Sequence, residues 1–137
     1  MFALHPALAA DTIEIVDWPL SKILLMDDAT YPWLILVPAR PGLTGLHELG
    51  PSDGQIMMDE IQRASGALKN LYKPDRINVA ALGNVVEQLH VHVIARFTSD
   101  GAWPAPVWGA QPRRPYGGDA LAEIRATLGA SLKEYAP

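Results

Sequence analysis

From Gln88 to Arg96 the chain reads Gln-Leu-His-Val-His-Val-Ile-Ala-Arg, apolar residues alternating with residues that carry chemistry. Such alternation marks a half-buried β-strand, because successive side chains on a strand point to opposite sides. Leu89, Val91, Val93 and Ala95 are expected on one face, and Gln88, His90, His92 and Arg96 on the other. Two imidazoles and an amide then stand in a row, roughly 6.5–7 Å from one to the next. Two of the chain's four histidines fall within three residues and share a direction.

The rest of the chain supplies partners for this strand. Residues 1–10 read as a cap with one short helical turn. Thr12–Asp17 alternates as a strand, Ser21–Met26 follows as a second, and Trp33–Val37 is a continuous apolar run fit for the centre of a sheet. Asp27-Asp28-Ala29-Thr30 has turn chemistry, so the second and third strands form an antiparallel hairpin. Leu46–Leu49 reads as a single turn. Ser52 followed three residues later by Gln55 fits a capping box opening a helix, whose stripe is Met57, Ile61, Ala64, Leu68 and Leu71. Lys73-Pro74-Asp75 ends it. Arg76–Ala81 is a fourth strand, and Leu82-Gly83-Asn84 turns into the histidine strand. Thr98–Gly118, rich in Pro, Gly and Trp, reads as an ordered surface loop. Leu121, Ile124, Leu128 and Leu132 mark a last amphipathic helix. The expected fold is a single α+β domain over 1–137: a mostly antiparallel sheet, one long central helix and a C-terminal helix.

Composition excludes several function classes. A net charge of −4 makes the chain a poor candidate for wrapping nucleic acid, which normally needs a basic face. The absence of cysteine removes disulfides, thiolate metal sites and cysteine nucleophiles. No apolar run approaches the roughly 18 residues of a membrane span. Ala-Leu-Ala near the N-terminus resembles a cleavage site but lacks the basic and apolar regions of a signal peptide, so the cytoplasm is the expected location.

Three readings compete for the histidines. They are inert, hydrogen-bonded sheet residues; or they hold a metal; or one attacks phosphorus. The metal reading wants a third ligand, and Arg96-Phe97-Thr98-Ser99 supplies none. His5 and His47 lie outside any ligand-like spacing, with His47 read as structural at the helix entrance, and Arg96 on the same face would repel a cation. In the third reading one imidazole, held through its far nitrogen, forms a covalent phosphoryl intermediate while the neighbouring imidazole and amide hold the non-bridging oxygens. That site needs no metal or cofactor.

Gln88-Leu-His90-Val-His92-Val-Ile94 resembles the histidine-triad (HIT) motif, His-φ-His-φ-His-φ-φ with φ apolar, with Gln in the first His position. Leu34-Ile-Leu-Val-Pro38, Leu46-His47-Glu48-Leu49 and Gly83-Asn84 resemble the family's central strand, its link into the main helix and the residues before its triad. The resemblance implies an α+β homodimer that hydrolyses or transfers nucleotidyl groups from substrates such as dinucleoside polyphosphates and nucleoside phosphoramidates. It implies His90 as nucleophile, His92 and Gln88 as partners of the phosphate, Asn84 at the scissile phosphate and Asp27 at the ribose hydroxyls. Asp27 has the plain alternative of a turn residue, and Asn84 that of holding the turn after Gly83. Gln88 can donate a hydrogen bond but cannot shuttle a proton. Val85 stands where one branch of the family has a hydroxyl near the leaving group, which argues against phosphoramidase-like specificity. Trp103 and Trp108 cover core or a dimer seam, or stack on a base. A nucleotide-binding module with little turnover is the alternative to the enzyme.

Overall fold

Every residue from Trp33 to Pro38 is buried, and this run is the third strand of a five-stranded sheet. The computed structural model describes residues 1–137. Its elements are α1 (Pro6–Asp11), β1 (Thr12–Asp17), β2 (Ser21–Met26), β3 (Trp33–Pro38), a 3-10 turn (Leu46–Glu48), α2 (Pro51–Tyr72), β4 (Arg76–Ala80), β5 (Val91–Arg96) and α3 (Gly118–Glu134). The order across the sheet is β1-β2-β3-β5-β4, and every pairing is antiparallel. The α+β architecture expected from the sequence is the one found, and β5 lies between β3 and β4.

The sheet separates two apolar layers, which is why its central strands carry apolar residues at both parities. On one face Ile23, Leu25, Leu34, Leu36, Val91, Val93 and Ala95 meet Met57, Ile61, Ala64 and Leu68 of α2 and Leu128 and Leu132 of α3. On the other, Leu24, Trp33, Ile35, Val37 and Ile94 are covered by Leu8, Tyr31, Ala102 and Val107, with Phe2 and Leu4 partly buried beside them. No helix of α2's length covers this second face; its cover is the N-terminal segment and the long connection before α3. No helix is long and apolar enough to cross a membrane.

Two local expectations are corrected. The helix α2 starts at Pro51, with Gly50 as its extended N-cap, and no side chain caps it. Proline at the first helical position carries no N–H to satisfy and has a preset φ, so the start needs no capping box, and Ser52 lies inside the first turn. The histidine strand joins the ladder only at Val91, leaving Gln88 and His90 ahead of it. The end of α2 matches the sequence: Lys73 takes a left-handed conformation (φ 53°) and donates to the Lys69 carbonyl, and Pro74 stops continuation.

The connection after β5 is held by a buried ion pair. The Arg96 guanidinium, 2% exposed, donates to Asp100 through Nε (2.8 Å) and Nη2 (3.0 Å). It also donates to Asn78 Oδ1 and the Ala105 carbonyl, and lies against the rings of Tyr31 and Trp103. Asp100 in turn accepts from the backbone N–H groups of Phe97, Ala102 and Trp103. The charge expected to repel a cation is therefore spent on anchoring a loop.

Candidate active site

The pleat of β5 sends Val91, Val93 and Ala95 toward the helices, and His92, Ile94 and Arg96 to the opposite side. His90, one residue before the strand, joins His92 there, with ring centroids 4.9 Å apart and edge to face. Both are buried, at 8% and 4% exposure. The His90 ring is set by its own strand: Nδ1 lies 2.7 Å from the Gln88 carbonyl oxygen. A carbonyl only accepts, so Nδ1 carries the hydrogen, and Nε2 of the neutral ring keeps a free lone pair. His92 Nδ1 accepts a hydrogen bond from the Trp33 indole N–H at 3.0 Å. Burial, and secondly the neighbouring His90, push His92 down to about 4.

Two cavities meet at His90. The smaller, about 270 Å³, is lined by Gly83, Asn84, Val85, His90, His92 and Trp108, among others. The larger, about 440 Å³, has Thr44, Gly45, His47, Leu82, Leu89 and His90 in its walls. Leu82 and Gly83 border both. Gly83 has φ +71°, which a side chain would strain, and lets the chain turn between them. The indole of Trp108 stands edge to face with His92, centroids 5.0 Å apart, and is 38% exposed.

The structure thus brings His90, His92 and Asn84 to one place. It does not bring Gln88 there. The Gln88 amide is taken up at both ends by the N-terminal segment: Oε1 accepts from His5 N–H (2.8 Å) and Nε2 donates to the Ala3 carbonyl (2.9 Å). Gln88 lines neither cavity at His90, because the N-terminal segment offers its amide a backbone donor and a backbone acceptor. Asp27 is also elsewhere. Its carboxylate accepts from Tyr116 N–H (2.9 Å) and from Arg113, tying down the segment before α3, and it lines neither cavity at His90.

His47, in the turn that leads into α2, also lines the larger cavity with His90. Its ring folds over Gly45, where an added Cβ would sit 2.5 Å from Cε1. The loop is braced by Glu48, whose carboxylate accepts from the Thr44 hydroxyl and from the N–H groups of Thr44 and Gly45; these bonds, the hydroxyl's foremost, hold its carboxyl below the usual range. Leu89 N–H donates to the Leu43 carbonyl, seating this loop beside His90. A histidine two residues after a glycine is too weak a pattern to have revealed this. No third His, Asp or Glu converges with the pair to make a metal-ligand cluster.

Comparison with known proteins bears on the same residues. A family model described as HIT domain matches residues 8–99. A histidine triad protein from Bradyrhizobium japonicum is 46% identical, over 95% of this chain and 97% of its own, with a TM-score of 0.91. One from Marinobacter aquaeolei VT8 is 44% identical over 99% of both chains, with a TM-score of 0.96. A third, from Sinorhizobium meliloti 1021, is 39% identical over 96% of this chain and 97% of its own, with a TM-score of 0.92. No curated protein is a match.

Proposed function

The chain belongs to the HIT domain family, and from that premise we propose that it hydrolyses or transfers nucleotidyl groups, as on dinucleoside polyphosphates, through a nucleotidyl-histidine on His90. The observation that carries this reading is the His90 ring, whose Nδ1 is committed to the Gln88 carbonyl while the residue borders two cavities. The free Nε2 attacks the α-phosphorus, and the P–O bond to the leaving group breaks as the N–P bond forms. His92 and Asn84 line the same cavity and donate to the non-bridging oxygens, where negative charge gathers. Water or another hydroxyl acceptor then attacks phosphorus, the O–P bond forming as the N–P bond breaks; His90 recovers its electron pair and the acceptor's proton passes to solvent. Trp108, a flat and partly exposed ring at the cavity wall, is placed to stack on a base. Nothing in this sequence of steps uses a metal.

Diadenosine tetraphosphate and a small panel of related nucleotides, assayed by product release with EDTA present, test the reading. Turnover at an undiminished rate in EDTA is expected. Binding without product would reduce the protein to a nucleotide-binding module, and activity lost to EDTA and restored by a divalent ion would overturn the metal-free route.

We also propose that the working unit is a homodimer joined at β4. This strand ends the sheet with an unpaired edge, and Val79 and the adjoining Leu82 are 48% and 47% exposed. Sedimentation at micromolar concentration should give twice the 14.9 kDa chain mass. A species of single mass there would refute the dimer.

A further inference from the structure

Trp33 is the residue whose contribution is least explained by packing alone. It is 5% exposed, at the start of β3 on the face that carries the histidines, and its one polar side-chain atom is aimed at His92 Nδ1. An indole N–H can only donate. Nδ1 must therefore present a lone pair, and the hydrogen of His92 sits on Nε2. The ring cannot turn over to exchange them. Trp33, His90 and Trp108 pack around it with centroids at 5.7, 4.9 and 5.0 Å. Putting a second proton on Nδ1 would set two N–H groups against each other inside a dry site, and burial already holds His92 down to about 4.

On the nucleotidyl-transfer reading above, we propose that Trp33 is a positioning residue which fixes His92 as a neutral Nε2–H donor, and that the site consequently favours leaving groups that depart as anions, phosphates above all, over amines and alkoxides. The chemistry follows from where protons can go. When His90 Nε2 bonds to phosphorus and the P–O bond to a phosphate leaving group breaks, the departing oxygen keeps the electron pair and needs no proton. An amine or alkoxide must receive one as it leaves. His92 can lend its Nε2–H as a hydrogen bond, but handing it over would leave an imidazolate. His90 is the only other ionisable residue lining the smaller cavity, and it is bonded to phosphorus at that moment. Gln88 is an amide spent on the N-terminal segment, and Arg96 is closed off by Asp100. The one further imidazole nearby is His47, in the larger cavity.

Two measurements test this. The first is the imidazole nitrogen spectrum of ¹⁵N-histidine-labelled protein without nucleotide. His92 should show one tautomer with the hydrogen on Nε2 near neutral pH, and Trp33→Phe, which keeps a ring and drops the donor, should show a mixture. The second is kcat/KM for a series of adenosine 5′-phosphoryl esters of graded leaving-group acidity, together with an alkylamine phosphoramidate. The rate should fall steeply as the leaving group becomes more basic, and the phosphoramidate should lag diadenosine tetraphosphate by about 10²–10⁴-fold, the usual worth of a general acid. In Trp33→Phe that gap should narrow as pH is lowered, because Nδ1 is then free to take a proton. A wild-type His92 protonated on Nδ1 would overturn the role given to Trp33. A flat leaving-group series would overturn the specificity, and a flat series that turns steep in His47→Gln would give the proton to His47 instead. If no nucleotide turns over, the nucleotidyl-transfer reading falls with the specificity built on it, and the spectrum decides on Trp33 alone.

Discussion

His90→Ala is expected to reduce turnover of a dinucleoside polyphosphate by roughly 10³-fold or more, with nucleotide affinity by calorimetry changed only a few-fold. The size of the loss follows from the job. A covalent nucleophile divides one difficult displacement into two easier ones, and no other group can take over at that position. His92 stays packed by Trp33 and Trp108, and its Nδ1 lone pair is already taken by the Trp33 indole N–H. His47 belongs to the larger cavity alone. Binding should survive because Asn84, His92 and Trp108 remain. A variant that keeps a tenth of the activity would show that His90 is not the attacking group, and one that also loses all affinity would point to a collapsed site rather than to missing chemistry.

The second large effect concerns stability. Asp100→Asn should lower the unfolding free energy by roughly 3–5 kcal/mol, because it leaves the Arg96 charge buried without its counter-ion. Urea unfolding measures this directly, and wild-type stability in the variant would mean that the pair contributes nothing. The pH dependence gives an independent check. The hydrogen bonds from Arg96 hold the Asp100 carboxyl down at about 2, against a usual 3.8. A depressed folded value stabilises the protein above the unfolded value and is lost as pH falls through about 2. That contribution, about 2 kcal/mol, should vanish from the acid limb of the stability curve in Asp100→Asn. It is smaller than the cost of the substitution because acid merely neutralises the carboxyl, whereas the variant also misplaces an amide among the donors of Phe97, Ala102 and Trp103. The loop it anchors carries Trp108, so weaker nucleotide binding should accompany the loss.

How much of this was legible in the sequence depended on how local the signal was. The unbroken apolar run at Trp33–Val37 marks its strand nearly to the residue, and the alternation over Gln88–Arg96 marks the end of β5 but starts it three residues early, since pleat and burial act on neighbours in the chain. His90, His92 and Asn84 share one cavity for the same reason: a short turn and a short strand bring them there. What was missed depends on partners far away in the chain. The amide of Gln88 meets residues 85 and 83 positions earlier, and Asp27 meets one 89 positions later. Nothing in the pattern around either residue reports such a partner. The Ser52–Gln55 box was misleading in a different way, because Pro51 and Gly50 begin the helix without it. The position of His47 depends on a fold-back over Gly45 that a bare Gly-Leu-His does not announce.

The strand that carries His92 is hydrogen-bonded on both sides, His92 pairing in register with Ile35 of β3 and Ala80 of β4. The cavity walls come mostly from elsewhere, from the segments around 44–47 and 82–86. Inheritance can therefore act on the two separately. A substitution in β5 is felt by the strands on both sides of it, while exchanges in the wall segments alter the cavities and leave the ladder intact. A lineage built on this plan can diversify its diet without reinventing its chemistry.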